Sequence, residues 1–303
     1  MVMLTGVWIP LVTPFKDGAL DLASYRRLIE HAIGNGASGL LPLGTTGEAP
    51  ALSEDEEDAI VAETVAVAAG RVPVFVGIGG NATAKVIKAI KRIERFAFAG
   101  ILSVCPYYNR PTQAGMFAHF KAIAEATARQ VVIYNIPYRT SVNLSNETLL
   151  RLAELGNIVG VKDSCGSMAQ SLELIASRPP GFSVLTGEDA LFLTQLCSGA
   201  DGGILAAAHL ATSRFVTVAR CVADDDLTGA RAAWEPLQRL IPPLFEEPNP
   251  VPLKHCLWRQ GLIASPECRL PLTPVSAALG ERLDRMLANL ASSDAVVVRR
   301  HRA

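Results

Sequence analysis

Eight short apolar runs, beginning near Val7, Gly39, Val72, Gly100, Val131, Ile158, Phe182 and Gly202, recur along the first two-thirds of the chain. Runs such as VPVFVGIG, GILSVCP and QVVIYNIP are hydrophobic almost without interruption. That pattern belongs to strands covered on both faces, as in a parallel sheet. The segments between them have helix length. Val86, Ile90, Ile93 and Ala97 fall at i, i+4, i+7 and i+11 and predict one apolar helical stripe. Ser53 followed by Glu56 has the spacing of a capping box and predicts a helix start. Eight strand-then-helix units predict an α/β protein, a (β/α)8 TIM barrel over residues 1–222. An open doubly wound sheet is the other fold this alternation permits.

Past Cys221 the alternation stops. Residues 226–245, 250–263 and 274–291 read as helices, broken by prolines at 242, 243, 248, 250, 252, 271 and 274. The expectation is a C-terminal α-helical region over 223–292, followed by a frayed basic tail at 293–303.

Half of the 303 residues are hydrophobic and 19% are charged, enough apolar surface for a large core. A net charge of −1 gives no electrostatic reason to expect nucleic acid or an anionic membrane as partner. The six cysteines (105, 165, 197, 221, 256 and 268) form no CxxC pair, and the five histidines are scattered. This argues for reduced thiols and against a zinc site. The opening MVMLTGVWIP lacks the make-up of a signal peptide, and no apolar stretch has membrane-spanning length. A cytoplasmic location is expected.

The candidate chemistry lies where the runs end, because barrel sites form at the C-terminal ends of the strands. The sixth run, Ile158-Val159-Gly160-Val161, ends in Lys162-Asp163-Ser164. A lysine closing a buried strand either snorkels to solvent or serves as an amine nucleophile, attacking a ketone to form a Schiff base. The second role requires a pKa well below the usual ~10.4. The second run leads into Gly44-Thr45-Thr46-Gly47-Glu48, a simple turn or a hydroxyl cluster for a carboxylate and a proton relay. The fourth ends in Cys105-Pro106-Tyr107-Tyr108-Asn109-Arg110-Pro111, where the tyrosine pair suits an interface. The fifth ends in Tyr134-Asn135-Ile136-Pro137-Tyr138-Arg139-Thr140. Tyr134 is an acid/base candidate and Arg139 offers a fork for a carboxylate. The last two runs end in Gly187-Glu188-Asp189 and Gly202-Gly203-Ile204. Together these residues suit condensation of a small keto acid through a lysine imine.

The motifs GTTGE (44–48), PYYNRP (106–111), YNIPYRT (134–140), GVKDS (160–164), EPNPVPLK (247–254) and RLPLTP (269–274) run in order through the chain. With them it resembles the dihydrodipicolinate synthase / N-acetylneuraminate lyase family of class I pyruvate-dependent aldolases, from about Thr5 to Ala288. The resemblance implies a barrel with a C-terminal helical region, and site roles as follows. Lys162 forms the Schiff base with pyruvate. Tyr134 shuttles the proton, and Thr46, with Thr45 beside it, binds the pyruvate carboxylate. Tyr108 is donated across a dimer interface, so the protein is expected to be a homo-oligomer, at least a dimer and by family habit a dimer of dimers. The backbone at Ile204 touches the pyruvate moiety, and Arg139 receives the carboxylate of the aldehyde. No metal and no organic cofactor is implied. GTTGE and the arginine of YNIPYRT match the synthases of the family, which join pyruvate to L-aspartate 4-semialdehyde in the lysine/diaminopimelate route.

Two departures flank the aldehyde pocket: Ser141 replaces a usual glycine, and Asp163-Ser164-Cys165 follows the lysine. They motivate an alternative aldolase or dehydratase activity on a 2-keto-3-deoxy sugar acid. A non-catalytic keto-acid-binding paralogue is a third reading, which the full set Thr45, Thr46, Tyr108, Tyr134 and Lys162 opposes. At the family's lysine-feedback site Tyr107 and Asn81 match, but Lys85 stands in place of a glutamate. A cation at that position repels the effector's ammonium, so insensitivity to lysine is expected.

Overall fold

The computed structural model describes residues 2–300, with side chains described for 2–289. Eight parallel strands form one sheet: β1 Gly6–Ile9, β2 Gly39–Leu40, β3 Phe75–Gly77, β4 Gly100–Val104, β5 Gln130–Asn135, β6 Ile158–Asp163, β7 Ser183–Thr186 and β8 Gly202–Ile204. They are hydrogen-bonded in the order β2-β1-β8-β7-β6-β5-β4-β3. The two ends of that order meet at an isolated bridge between Leu40 and Val74. Leu40 N–H donates to Pro73 O (3.0 Å) and Gly77 N–H to Pro42 O (2.9 Å), which draws the seam shut. The predicted (β/α)8 barrel is the fold, and the open-sheet alternative is discarded.

The strands are followed by α1 Leu22–Gly34, α2 Glu54–Ala68, α3 Thr83–Ile93, α4 Gln113–Glu125, α5 Asn146–Ala153, α6 Met168–Ser177, α7 Phe192–Cys197 and α8 Ala208–Ala223. Because all eight strands are parallel, each connection returns the chain to the same end of the barrel. Alternation sorts the strand residues into two cores. Trp8, Phe75, Leu102, Val132, Val159, Leu185 and Ile204 fill the barrel interior, with Trp8 and Phe75 edge to face at 5.2 Å. Ile9, Val76, Ile101, Val131, Ile133, Val161 and Val184 point outward into the larger core beneath the helices.

The capping box is present: Ser53 Oγ accepts from Glu56 N–H (3.2 Å) and Glu56 Oε2 from Ser53 N–H (3.0 Å). Two expectations shift. The third run starts near Val72, but the strand proper begins at Phe75, because Pro73 has no N–H to enter the ladder. The helical stripe holds for Val86, Ile90 and Ile93, all buried, but not for Ala97. The helix ends at Ile93, Ala97 is exposed, and Phe98 takes the core position instead.

Beyond the barrel, α9 Leu227–Leu240, α10 Val251–Arg259 and α11 Ala277–Arg300 form the predicted C-terminal helical region. Trp234, Leu237, Leu253, Leu257 and Leu283 join the outer core. The tail expected at 293–303 lies outside the residues whose side chains are described. A buried ion pair fastens this region to the barrel mouth. Lys254, fully buried, pairs with Glu48, whose side chain is 2% exposed. Lys254 Nζ also donates to Glu267 O (2.8 Å), and Glu48 Oε2 accepts from Arg269 N–H (3.0 Å). Phe15 lies beneath both cations, 4.3 Å from Lys254 Nζ and 4.2 Å from the Arg269 guanidinium.

Removing one member of such a pair leaves a buried charge without compensation. Lys254→Met should therefore cost about 3–5 kcal/mol in urea denaturation, and Glu48→Gln added to it should recover part of that loss. A single-variant loss under about 1 kcal/mol would mean that the pair does not anchor the region.

Candidate active site

The local register explains why a lysine and a tyrosine meet. In β6, Val159 points inward, Val161 outward and Lys162 inward again. Tyr134 of β5 is its direct Cα partner across the parallel ladder, and Asn135 pairs with Asp163. Both inward side chains therefore stand side by side, with Lys162 Nζ 4.2 Å from the centroid of the Tyr134 ring. Lys162 is 7% exposed and Tyr134 6%. On the other side of the lysine, Gly187 follows β7. A Cβ there would fall 2.7 Å from Lys162 Cε and 2.2 Å from Ser164 Oγ, so the bare glycine makes the room these side chains occupy.

Burial drives the electrostatics. It brings the Lys162 ammonium down to about 8, opposed by the negative charges of Asp189 and Glu188 and assisted by the positive charge of Arg139. Burial likewise pushes Asp189 up to about 7, against the hydrogen bond from Ala207 N–H (2.6 Å) and the pull of Lys162. Glu188 is raised by burial, and the Tyr134 hydroxyl is raised above the ordinary phenol value by its own burial and by Tyr138. The site thus raises the fraction of neutral amine and sets it beside a protonated phenol.

The outward-facing partners keep the two strand ends in place. Asn135 Oδ1 accepts from Leu144 N–H (3.0 Å) and Asn135 Nδ2 donates to Asn143 Oδ1 (2.8 Å). Asp163 accepts from Ser171 Oγ and from Cys165 N–H (3.1 Å).

Over the strand ends lies a cavity of ≈ 380 Å³, lined among others by Thr45, Glu48, Tyr107, Arg139, Asn249 and Leu270. Of the residues singled out in the sequence, Lys162 and Tyr134 are in contact, and Thr45 and Arg139 share this cavity. Thr46 is buried after β2, and its hydroxyl accepts from Asn249 Nδ2 (2.9 Å). Ile204 is buried at the end of β8. Tyr108 is not brought to the lysine. It stands 88% exposed in the loop after β4, with φ +72°, beside Arg110 at φ +48°. Among the described residues no group of three His, Cys, Asp or Glu side chains is placed to hold a metal ion.

Sequence reasoning did not assign roles to Ser164, Glu188, Asp189, Asn249, Glu48 or Lys254. Asn249 and Lys254 lie within EPNPVPLK, Glu48 within GTTGE, and Glu188 and Asp189 just past the seventh apolar run. Their partners lie too far along the chain for spacing to reveal.

Comparison with known proteins follows the same lines. The family model described as the dihydrodipicolinate synthetase family matches residues 3–290. The 4-hydroxy-tetrahydrodipicolinate synthase 2 of Clostridium acetobutylicum is 51% identical over 284 residues, covering 94% of this chain and 99% of that protein. The solved 4-hydroxy-tetrahydrodipicolinate synthase of Methylacidiphilum fumariolicum superimposes with a TM-score of 0.94 at 37% identity, over 98% of this chain and 99% of the other. The dihydrodipicolinate synthase of Thermotoga maritima gives a TM-score of 0.93 at 39% identity, over 95% and 99%.

If Lys162 is the attacking amine, the neutral fraction grows tenfold per pH unit below about 8 and then levels. Cyanoborohydride trapping of a pyruvate adduct should follow that curve. A rate still climbing through pH 10 would show an amine with no such depression.

Proposed function

Since the chain belongs to the dihydrodipicolinate synthetase family, we propose that it condenses pyruvate with L-aspartate 4-semialdehyde through a Schiff base on Lys162. The product is 4-hydroxy-tetrahydrodipicolinate, of the lysine/diaminopimelate route, and the enzyme is a lyase of the aldolase type. The observation that carries the reading is the buried Lys162 amine, lowered in pKa and paired in register with Tyr134.

The steps follow from those groups. The neutral amine attacks C2 of pyruvate, and the carbonyl oxygen takes up protons and leaves as water. The resulting iminium draws electrons from the C2–C3 region, so C3 loses a proton and becomes an enamine. Tyr134, adjacent to Lys162, gives and receives these protons. Thr46 and Thr45, just after β2, hold the pyruvate carboxylate, with the Ile204 backbone against the pyruvate moiety. The enamine carbon then attacks the aldehyde, whose oxygen is protonated. Finally the amino group of the second substrate attacks the iminium carbon, closes the ring and releases Lys162. The iminium is the electron sink throughout, so these steps call on no metal and no organic cofactor.

Arg139 is exposed at the cavity wall, where a guanidinium fork meets a carboxylate with little desolvation. It is the group for the aldehyde's carboxylate. Tyr108 supports assembly as a homo-oligomer, at least a dimer: an exposed aromatic on a left-handed backbone is a costly arrangement for a surface that meets only water. We assign it to a neighbouring protomer's site. The cytoplasm is the proposed location; no helix among the described residues is long and apolar enough to cross a membrane.

Arg139→Ala should lower kcat/KM for L-aspartate 4-semialdehyde about 10- to 100-fold, the worth of one charge-assisted contact, in an assay coupled to the downstream reductase. Pyruvate-adduct trapping should survive. Loss of trapping would assign Arg139 to pyruvate instead. Free lysine should leave the rate unchanged, because Lys85 is exposed on α3 and presents a like charge to the effector. Inhibition at physiological lysine concentrations would overturn that expectation.

A further inference from the structure

Arg139 is exposed, and its guanidinium lies 5.5 Å from the centroid of the Tyr138 ring, itself 68% exposed. A stack so open to water contributes little, so the backbone beneath decides where the guanidinium stands. That backbone is a closed loop. Asn135 ends β5 directly after Tyr134 and is 2% exposed. Its carbonyl oxygen accepts from Ser164 N–H (2.9 Å), which ties it to the strand bearing Lys162. Its side chain reaches across the loop instead. Oδ1 accepts from Leu144 N–H (3.0 Å), and Nδ2 donates to Asn143 Oδ1 (2.8 Å). The chain thus leaves β5 at Asn135 and meets the same residue again eight and nine positions later.

Between those points, Pro137–Thr140 make a single helical turn, closed by Ser141 N–H donating to Pro137 O (2.7 Å). Ser141 then takes φ +59°, a left-handed conformation that glycine adopts without strain. A serine keeps it only where the surroundings determine the backbone, and the bonds from Asn135 do so here. Asn143 is held in turn from outside. Gln113 Nε2 of α4 donates to its carbonyl oxygen (2.7 Å), and its Nδ2 donates to Gln170 Oε1 of α6 (2.8 Å). Gln170 Nε2 donates to Leu144 O (2.9 Å) as well. The exit of the loop is therefore fixed to two helices of the barrel wall.

We propose that Asn135 and Asn143 form a clasp that sets Arg139 at the cavity wall, and that they thereby govern how tightly the carboxylate of the second substrate is held. The loop gives Ile136, Arg139 and Thr140 to that wall, while Asn135 and Asn143 act from outside it. Both are positioning residues. A guanidinium fork pairs well with a carboxylate only when the two planes are aligned, so a small displacement of the loop is felt in binding. The groups assigned to pyruvate stand on other elements: Lys162 on β6, and Thr45 and Thr46 after β2. Loosening the clasp should therefore separate the two substrates.

The role of the clasp rests on the assignment of Arg139 to the aldehyde's carboxylate, so each substrate is measured by itself. In the coupled assay, Asn143→Ala should raise KM for L-aspartate 4-semialdehyde about 3- to 10-fold, with kcat and KM for pyruvate within about twofold of the parent. Asn135→Asp keeps an acceptor for Leu144 N–H but turns a carboxylate oxygen on Asn143 Oδ1, and should act in the same direction more strongly. Arg139→Ala removes the group that the clasp positions. Asn143→Ala added to it should then cost nothing beyond the loss in Arg139→Ala alone. The parent's KM in Asn143→Ala, with Arg139→Ala still impaired, would overturn the clasp and leave the condensation standing. Effects that multiply in the double variant would also overturn it, as would equal losses for pyruvate and semialdehyde, the mark of a general loosening. A parent protein that traps pyruvate yet consumes no semialdehyde would overturn the second-substrate reading and the clasp with it.

Discussion

Taking an ammonium out of water is the constraint to which the mouth of this barrel answers. Burial at the inward-facing end of β6 makes the charged form of a lysine less stable than it is in water, and the depressed pKa expresses that cost. Other groups keep the cost within bounds. Asp189 and Glu188 attract the charged form, so the amine can still take up a proton near neutral pH. Tyr134, held protonated by its own burial, adds a ring face and no competing negative charge. Gly187 contributes by having no side chain. The fold supplies the means: a parallel register that fixes which residues are neighbours, and burial of the inward-facing side chains at the strand ends.

The C-terminal helices complete the mouth. Asn249 reaches Thr46, Lys254 and Arg269 both reach Glu48, and Arg269 also binds Glu56 in the capping box of α2. The turn that carries both threonines is therefore gripped from two sides by residues from the far end of the sequence. Glu48 itself adopts a left-handed conformation, which bends the turn toward those partners. A loop that would otherwise be free to move is held by buried charge and hydrogen bonds.

Much of this was legible in the sequence because barrels write their sites at strand ends. A polar residue that interrupts an apolar run is visible by eye, and Lys162, Tyr134 and the threonine pair were found that way. Ala97 misled because periodicity continues past a helix end without marking it. Glu188 and Asp189 carry no role legible in the sequence, since an acid after a strand ordinarily faces solvent; in the folded chain Asp189 is buried and Glu188 half-buried, both close enough to Lys162 for their charges to act on it. The Glu48–Lys254 pair was invisible for another reason. Neither residue has a local signature, and the contact joins segments that no short-range pattern relates. The place of Tyr108 came from family likeness, and within one protomer the residue simply points outward.

On the ribosome, the threonine turn has to wait. Glu48 and Lys254 are 206 residues apart, so at ordinary elongation speeds about 10–40 s separate the synthesis of one from that of the other. Through that interval the nascent barrel carries an uncompensated carboxylate at its mouth, and the turn above it has not met Asn249 or Arg269. A chain cut short before the last helices would keep its nucleophile and lose the frame around the carboxylate pocket. The frame of the site is complete only once the chain has been made as far as Arg269.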